Sequence, residues 1–217
     1  MPKEKSEIGE SLGKGSGGSV NIVSETDVWT FRHDSDNAEF VDAINTSVSV
    51  IQGDFNDVMQ TVNQVSAAEL DGVDKSSTLG YWDPSSKTLA LNDNYVDIDK
   101  MNSVYDAATK SGFHPSRGNK TGTEAVAFHE MGHALTDHIA KKMGVPNLDT
   151  ASQKIVDAAY KAMKGTGGTK AWAGKISGYA QESYAECVAE AVADYYCNGD
   201  KASAQSKAIM KQLQKYK

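Results

Sequence analysis

Ala125-Val126-Ala127-Phe128-His129-Glu130-Met131-Gly132-His133-Ala134-Leu135 is the stretch that decides how this chain is read. Its apolar residues recur at helical spacing, and on a helix His129 and His133 share one face. Two imidazoles on one face can reach a single metal ion, while Glu130, next to the first, is aimed at a water held there. This H-E-x-x-H pattern predicts a zinc site. Gly132, between the histidines, leaves room for another element to approach closely. A catalytic zinc also needs a third protein ligand and one open position, so a further ligand is expected downstream.

Working outward, the motif helix is expected over 123–143, with Thr123 as its cap and Gly144 and Pro146 as its stop. Further helices are expected over 101–110, from a cap at Asp149 or Thr150 to 164, over 181–198 and over 202–216. Ahead of them, Phe40, Ile44, Val48, Ile51, Phe55, Val58, Val62 and Val65 step by three or four, which predicts one long amphipathic helix over 38–65. Residues 20–23 and 28–31 read as two short strands, and 79–82 and 88–91 flank Asp83-Pro84-Ser85-Ser86-Lys87 as a β-hairpin. Strands that precede helices favour an α+β domain: a small mixed or antiparallel sheet with a helical second lobe carrying the motif. Residues 1–19 have the composition of a flexible leader or linker. One domain then spans 20–217, with an N-lobe over about 20–110 and a C-lobe over about 111–217.

Composition narrows the partners. The 217 residues carry a net charge of −7 with both signs interspersed, which gives no basic stripe for nucleic acid. No apolar run reaches the ~18 residues of a membrane span, and no signal peptide is legible at the start, so a cytoplasmic protein is expected. Cys187 and Cys197, ten residues apart on one expected helix, stand roughly 15 Å from each other and are expected to be reduced and buried.

The third ligand is sought in Ser177-Gly178-Tyr179-Ala180-Gln181-Glu182-Ser183-Tyr184-Ala185-Glu186-Cys187-Val188-Ala189-Glu190. A helix here would place Glu182, Glu186 and Glu190 on one face, among residues too apolar for a free surface. At least one of these carboxylates must face the interior, where a metal would offset its desolvation. Asp137, four residues after His133, either fixes an imidazole through its second nitrogen or faces solvent. His114 reads as a loop-packing residue, and Trp82, Trp172 and Tyr81 read as core.

Together the H-E-x-G-H-A-L helix, the S-x-Y segment and the E-x-x-A-E run resemble the gluzincin metallopeptidases of the anthrax-lethal-factor-like group. Gly112-Phe113-His114-Pro115 before the metal helix is similar to zincin domains of phage and mobile-element proteins. The resemblance covers about 79–198 and implies a zincin-like fold that hydrolyses peptide bonds in a protein or peptide substrate. It makes His129, His133 and Glu186 the zinc ligands, with Glu182 as the competitor to Glu186. It also makes Glu130 the general base, Tyr179 the support of the reacting oxygen and Glu190 a carboxylate behind the ligands. The open sheet edge that would take the substrate is assigned to Thr88, Leu89, Ala90 and Leu91. The alternative is a structural or assembly module of a phage or mobile element, in which the same fold is not primarily proteolytic; the phage resemblance implies a chain that is part of a larger phage or mobile-element protein and is virion-associated.

Overall fold

In the computed structural model, residues 18–23, 28–33, 37–56, 62, 64–68 and 78–217 are described, with side chains for 37–56, 62, 65 and 78–217. Of the expected leader, residues 1–17 lie outside the described residues.

Helix α1 (Ala38–Asp54) starts where the Asn37 side chain accepts the Phe40 amide at 3.1 Å. It buries Phe40, Ile44, Val48 and Ile51 along one stripe. The expected continuation to Val65 is overturned, because Phe55 leaves helical geometry at φ −137° and Val65 lies in a strand, β3 (Gln64–Ala68). Val65 is nonetheless fully buried, so it joins the same core from a different element.

The two expected strands, β1 (Gly18–Val23) and β2 (Val28–His33), pair antiparallel, and β2 pairs in parallel with β3. A helix therefore does intervene between two strands, since α1 makes the crossover that parallel pairing requires. The Asp83 to Lys87 turn joins β4 (Gly80–Asp83) and β5 (Thr88–Asn92) into the expected hairpin. The sheet is mixed, with order β1-β2-β3-β5-β4. This corrects the edge assignment. Thr88, Leu89, Ala90 and Leu91 pair with β3 on one side and β4 on the other, so their backbone groups are already occupied. The rim is β4.

The remaining chain is helical: α2 (Ile98–Lys110), α3 (Gly122–Met143), α4 (Leu148–Ala162), α5 (Thr169–Ala173), α6 (Tyr184–Asn198) and α7 (Ala204–Leu213). The α+β class holds. Thr121, not Thr123, caps α3: its hydroxyl accepts the Glu124 amide at 3.1 Å, while Glu124 accepts the Thr121 amide at 2.7 Å. Thr123 is buried instead. Gly144 closes the helix at φ 64°, a left-handed conformation that suits glycine. Asn147, rather than Asp149 or Thr150, caps α4, and Ser183 caps α6.

Helix α3 is the axis of the molecule, packed against α1, α2, α4, α6 and the β4–β5 hairpin. One apolar cluster runs from Phe40 through Leu89 and Phe128 to Leu213, so the two expected lobes share a core. Cys187 and Cys197 are buried, unpaired and both on α6. Trp82 and Trp172 are core, as expected, whereas Tyr81 is exposed. No helix among the described residues is long and apolar enough to cross a membrane.

Candidate metal centre

Helix α3 projects His129, Glu130 and His133 together, with one ligand atom from each lying within 4.8 Å of the others. What faces them depends on Gly132. A Cβ there would stand 2.8 Å from Ala189 Cα, so only glycine lets α6 lie against α3 at this point. Through that contact α6 delivers Glu186. Its Oε2 lies 3.1 Å from His129 Nε2 and 3.4 Å from His133 Nε2.

These contacts are close without being hydrogen bonds, because Glu186 Oε2 is buried and has no partner of normal geometry among the described residues. Ligand atoms about 2.0–2.1 Å from a shared tetrahedral centre stand roughly 3.3–3.4 Å apart. Two nitrogens and an orphaned carboxylate oxygen at this spacing fit a metal ion of zinc's preference. Burial raises the Glu186 carboxyl, but the two imidazoles outweigh it and hold the group below the usual carboxylate range. Glu182 is not part of this set. It lies in the turn before α6 and is exposed, so the expected stack of three glutamates on one helix face does not form.

Glu190, one turn beyond Glu186, is 1 % exposed and faces the back of His129. His129 Nδ1 donates to its Oε1 at 2.8 Å, and Ser177 Oγ donates to its Oε2 at 2.6 Å. His114 Nδ1 lies 3.0 Å from the same Oε1. Burial pushes the Glu190 carboxyl up, yet the hydrogen bonds from His114 and His129 prevail and hold it at about 2. A carboxylate behind a ligating imidazole fixes which ring nitrogen keeps the proton, leaving Nε2 to coordinate.

Glu130 differs from these two. Its carboxyl is raised, chiefly by burial, against the pull of both histidines and with the Glu186 and Glu190 charges adding to the rise. Tyr179 stacks on His129 with ring centroids 5.7 Å apart. Burial and the surrounding carboxylates push its phenol up, so it remains a donor. Its backbone is fixed by the preceding loop: the Gly178 amide donates to Gly112 O at 2.7 Å and the Tyr179 amide to Phe113 O at 2.9 Å.

Asp137 does not hold an imidazole. Its Oδ2 pairs at 2.5 Å with Lys87 Nζ from the β4–β5 turn, which pins the hairpin to α3. At the hairpin's other end, a Cβ on Gly80 would meet Val126 Cγ1 at 3.0 Å and Glu130 Cγ at 3.2 Å. Strand β4 therefore lies directly over the motif. Gly80, Tyr81 and Trp82 form one wall of a cleft of about 440 Å³, and His129, Glu130, His133, Tyr179 and Glu186 form its base. A second hollow of about 560 Å³, bounded by α4, α5 and the start of α6, shares Asp149, Ser183 and Ala185 with the cleft.

His114 and Ser177 were not assigned site roles from sequence, although both stand in segments read as part of the pattern. The available signal was Glu190 itself: a carboxylate on an apolar helix face requires donors. No protein-family model matches the chain, and no curated protein matches its sequence.

Proposed function

We propose that the protein is a zinc-dependent endopeptidase of the gluzincin type. The observation that carries this reading is the convergence of His129 Nε2 and His133 Nε2 on the orphaned Glu186 Oε2, beside Glu130 at the base of an open cleft.

His129, His133 and Glu186 would hold the ion. Zinc, when bound, acidifies a water to a pKa of about 7 and polarises a carbonyl as a Lewis acid. Glu130, buried with its proton affinity raised, takes the proton from the attacking water and passes it to the leaving amine. Tyr179, kept protonated, donates a hydrogen bond to the carbonyl oxygen as charge develops on it. Glu190 and Ser177 hold the His129 ring through Nδ1 so that Nε2 stays aimed at the site. Among the described residues strand β4 pairs only with β5, so an extended peptide can add to its outer edge by main-chain hydrogen bonds, passing over Glu130.

The test is metal content together with cleavage. Purified protein should bind about one zinc ion per chain and cut an unfolded protein substrate. Glu130→Gln should retain the zinc and lose cleavage by at least the 10²–10⁴-fold typical of a general base. Absence of metal, or cleavage undiminished in that variant, overturns the reading.

A further inference from the structure

His114 lies outside α3 and α6, in the loop between α2 and α3, yet it reaches the same carboxylate oxygen as His129. Glu190 Oε1 is 3.0 Å from His114 Nδ1 and 2.8 Å from His129 Nδ1, with 76 residues separating His114 from Glu190. A carboxylate oxygen only accepts, so both imidazoles must present Nδ1–H to it. The Glu190 carboxylate is thus held from three sides: the two histidines on Oε1 and Ser177 on Oε2.

The His114 ring is itself clamped. It stacks on the buried Tyr105 with centroids 5.3 Å apart and planes 9° apart, and meets the edge or face of Tyr179 at 5.5 Å and of Phe113 at 4.9 Å. Its loop is bound through main-chain bonds from Gly178 and Tyr179 to Gly112 O and Phe113 O. Such packing fixes where Nδ1 points, because a ring gripped on its faces keeps little rotational freedom. The loop therefore couples two parts of the site: its backbone sets Tyr179, and its imidazole sets Glu190.

We propose that His114 is a positioning residue of the metal centre, which holds the Glu190 carboxylate in the orientation that locks the His129 imidazole for coordination. This inference rests on the zinc reading above. Glu190 is 1 % exposed and cannot recruit solvent, so loss of the His114 donor leaves Oε1 under-satisfied and free to turn away from His129. His129 would then lose its fixed tautomer, and metal affinity would fall although every ligand remained.

Two variants separate this role from packing. His114→Phe keeps an aromatic ring against Tyr105 and removes the donor; His114→Asn removes the ring and keeps a donor near the Nδ1 position. Zinc affinity is measured by competition with a chromophoric chelator, alongside the thermal midpoint of each zinc-free protein. His114→Phe should weaken zinc binding about 10–100-fold. His114→Asn should recover most of that loss, even if it is the less stable of the two. Wild-type affinity in His114→Phe, or affinities that follow thermal midpoint instead of the donor, would overturn the proposal.

If His114→Phe does not fold, histidine ¹⁵N NMR of the zinc-loaded wild type decides. Hydrogen-bonded protons on Nδ1 of both His114 and His129 are expected, and an unprotonated Nδ1 on His114 would rule the role out. Failure of wild-type protein to bind zinc at all would instead count against the metal reading itself and remove the basis for this one.

Discussion

Gly132 and Ala189 meet backbone to backbone: a Cβ on Gly132 would stand 2.8 Å from Ala189 Cα and 3.2 Å from Val192 Cβ. Neither neighbour is a flexible side-chain end, so α6 cannot relieve the overlap without moving. Gly132→Ala should push α6 outward and take Glu186 and Glu190 with it. Overpacking of this kind costs about 1–3 kcal/mol, which urea denaturation would read. Zinc affinity should fall in the same variant, and an unchanged affinity would mean that the spacing between the helices does not set the ligand geometry.

Glu186 and Glu182 are one turn apart in sequence but occupy different environments. Glu186→Ala should abolish tight zinc binding, since it removes one of the three proposed ligands. Glu182→Ala should leave it within twofold or so, as expected for an exposed carboxylate in the turn before α6. Isothermal titration of both variants distinguishes them, and the opposite ranking would reassign the third ligand.

The Lys87–Asp137 pair predicts an asymmetry. Lys87→Met leaves the Asp137 carboxylate unpaired at 11 % exposure, at a cost of about 1–3 kcal/mol. Asp137→Asn keeps a group that can accept from Lys87 and should cost less. Lys87 also adopts φ 59°, a conformation unfavourable for a residue with a side chain, so the ion pair holds a strained turn. In the peptidase reading, KM for a peptide should rise in Lys87→Met with zinc content unchanged, because the rim strand loses its anchor.

Alkaline stability should depend on Cys197. Burial, and next the nearby Glu124 carboxylate, push its thiol up to about 12 from a usual value of 9.0. The folded state thus holds this proton more tightly than the unfolded state does. Its contribution is complete below pH about 9 and is lost as pH rises toward 12. Urea-unfolding stability of the wild type should decline above pH 9, and more steeply than that of Cys197→Ala. Parallel declines in the two proteins would contradict the assignment.

How much of this was legible in the sequence differs from element to element. The motif helix could be read because its period, its glycine stop and its functional residues fall in one continuous run. Local signals also sufficed for the β4–β5 hairpin. They could not say which of the two strands faces outward, because that depends on pairing between Thr88–Asn92 and the distant Gln64–Ala68. The false extension of α1 has a similar origin: Val62 and Val65 are buried as the period demands, but Val65 reaches the core from a strand. That Glu186 and Glu190 face His129 was legible from helix spacing and from the resemblance. Glu182 was misplaced because Ser183 starts the helix after it. His114 stayed hidden because its role exists only through Glu190, far along the chain.

The side chains proposed to hold a metal, His129, His133 and Glu186, all come from α3 and α6, and among the described residues the sheet meets the cleft through the short strand β4, fastened by Lys87 and brought close by the bare Cα of Gly80. In the peptidase reading, holding a chain and cutting it would fall to separable pieces of polypeptide. In that same reading, the exposed positions of residues 78–92 can be varied, with Gly80, Lys87 and the buried Trp82, Leu89, Ala90, Leu91 and Asn92 retained, to change which peptides are gripped while leaving His129, His133 and Glu186 in place. An engineer seeking altered selectivity would begin with Tyr81, whose side chain lies at the cleft and outside the core.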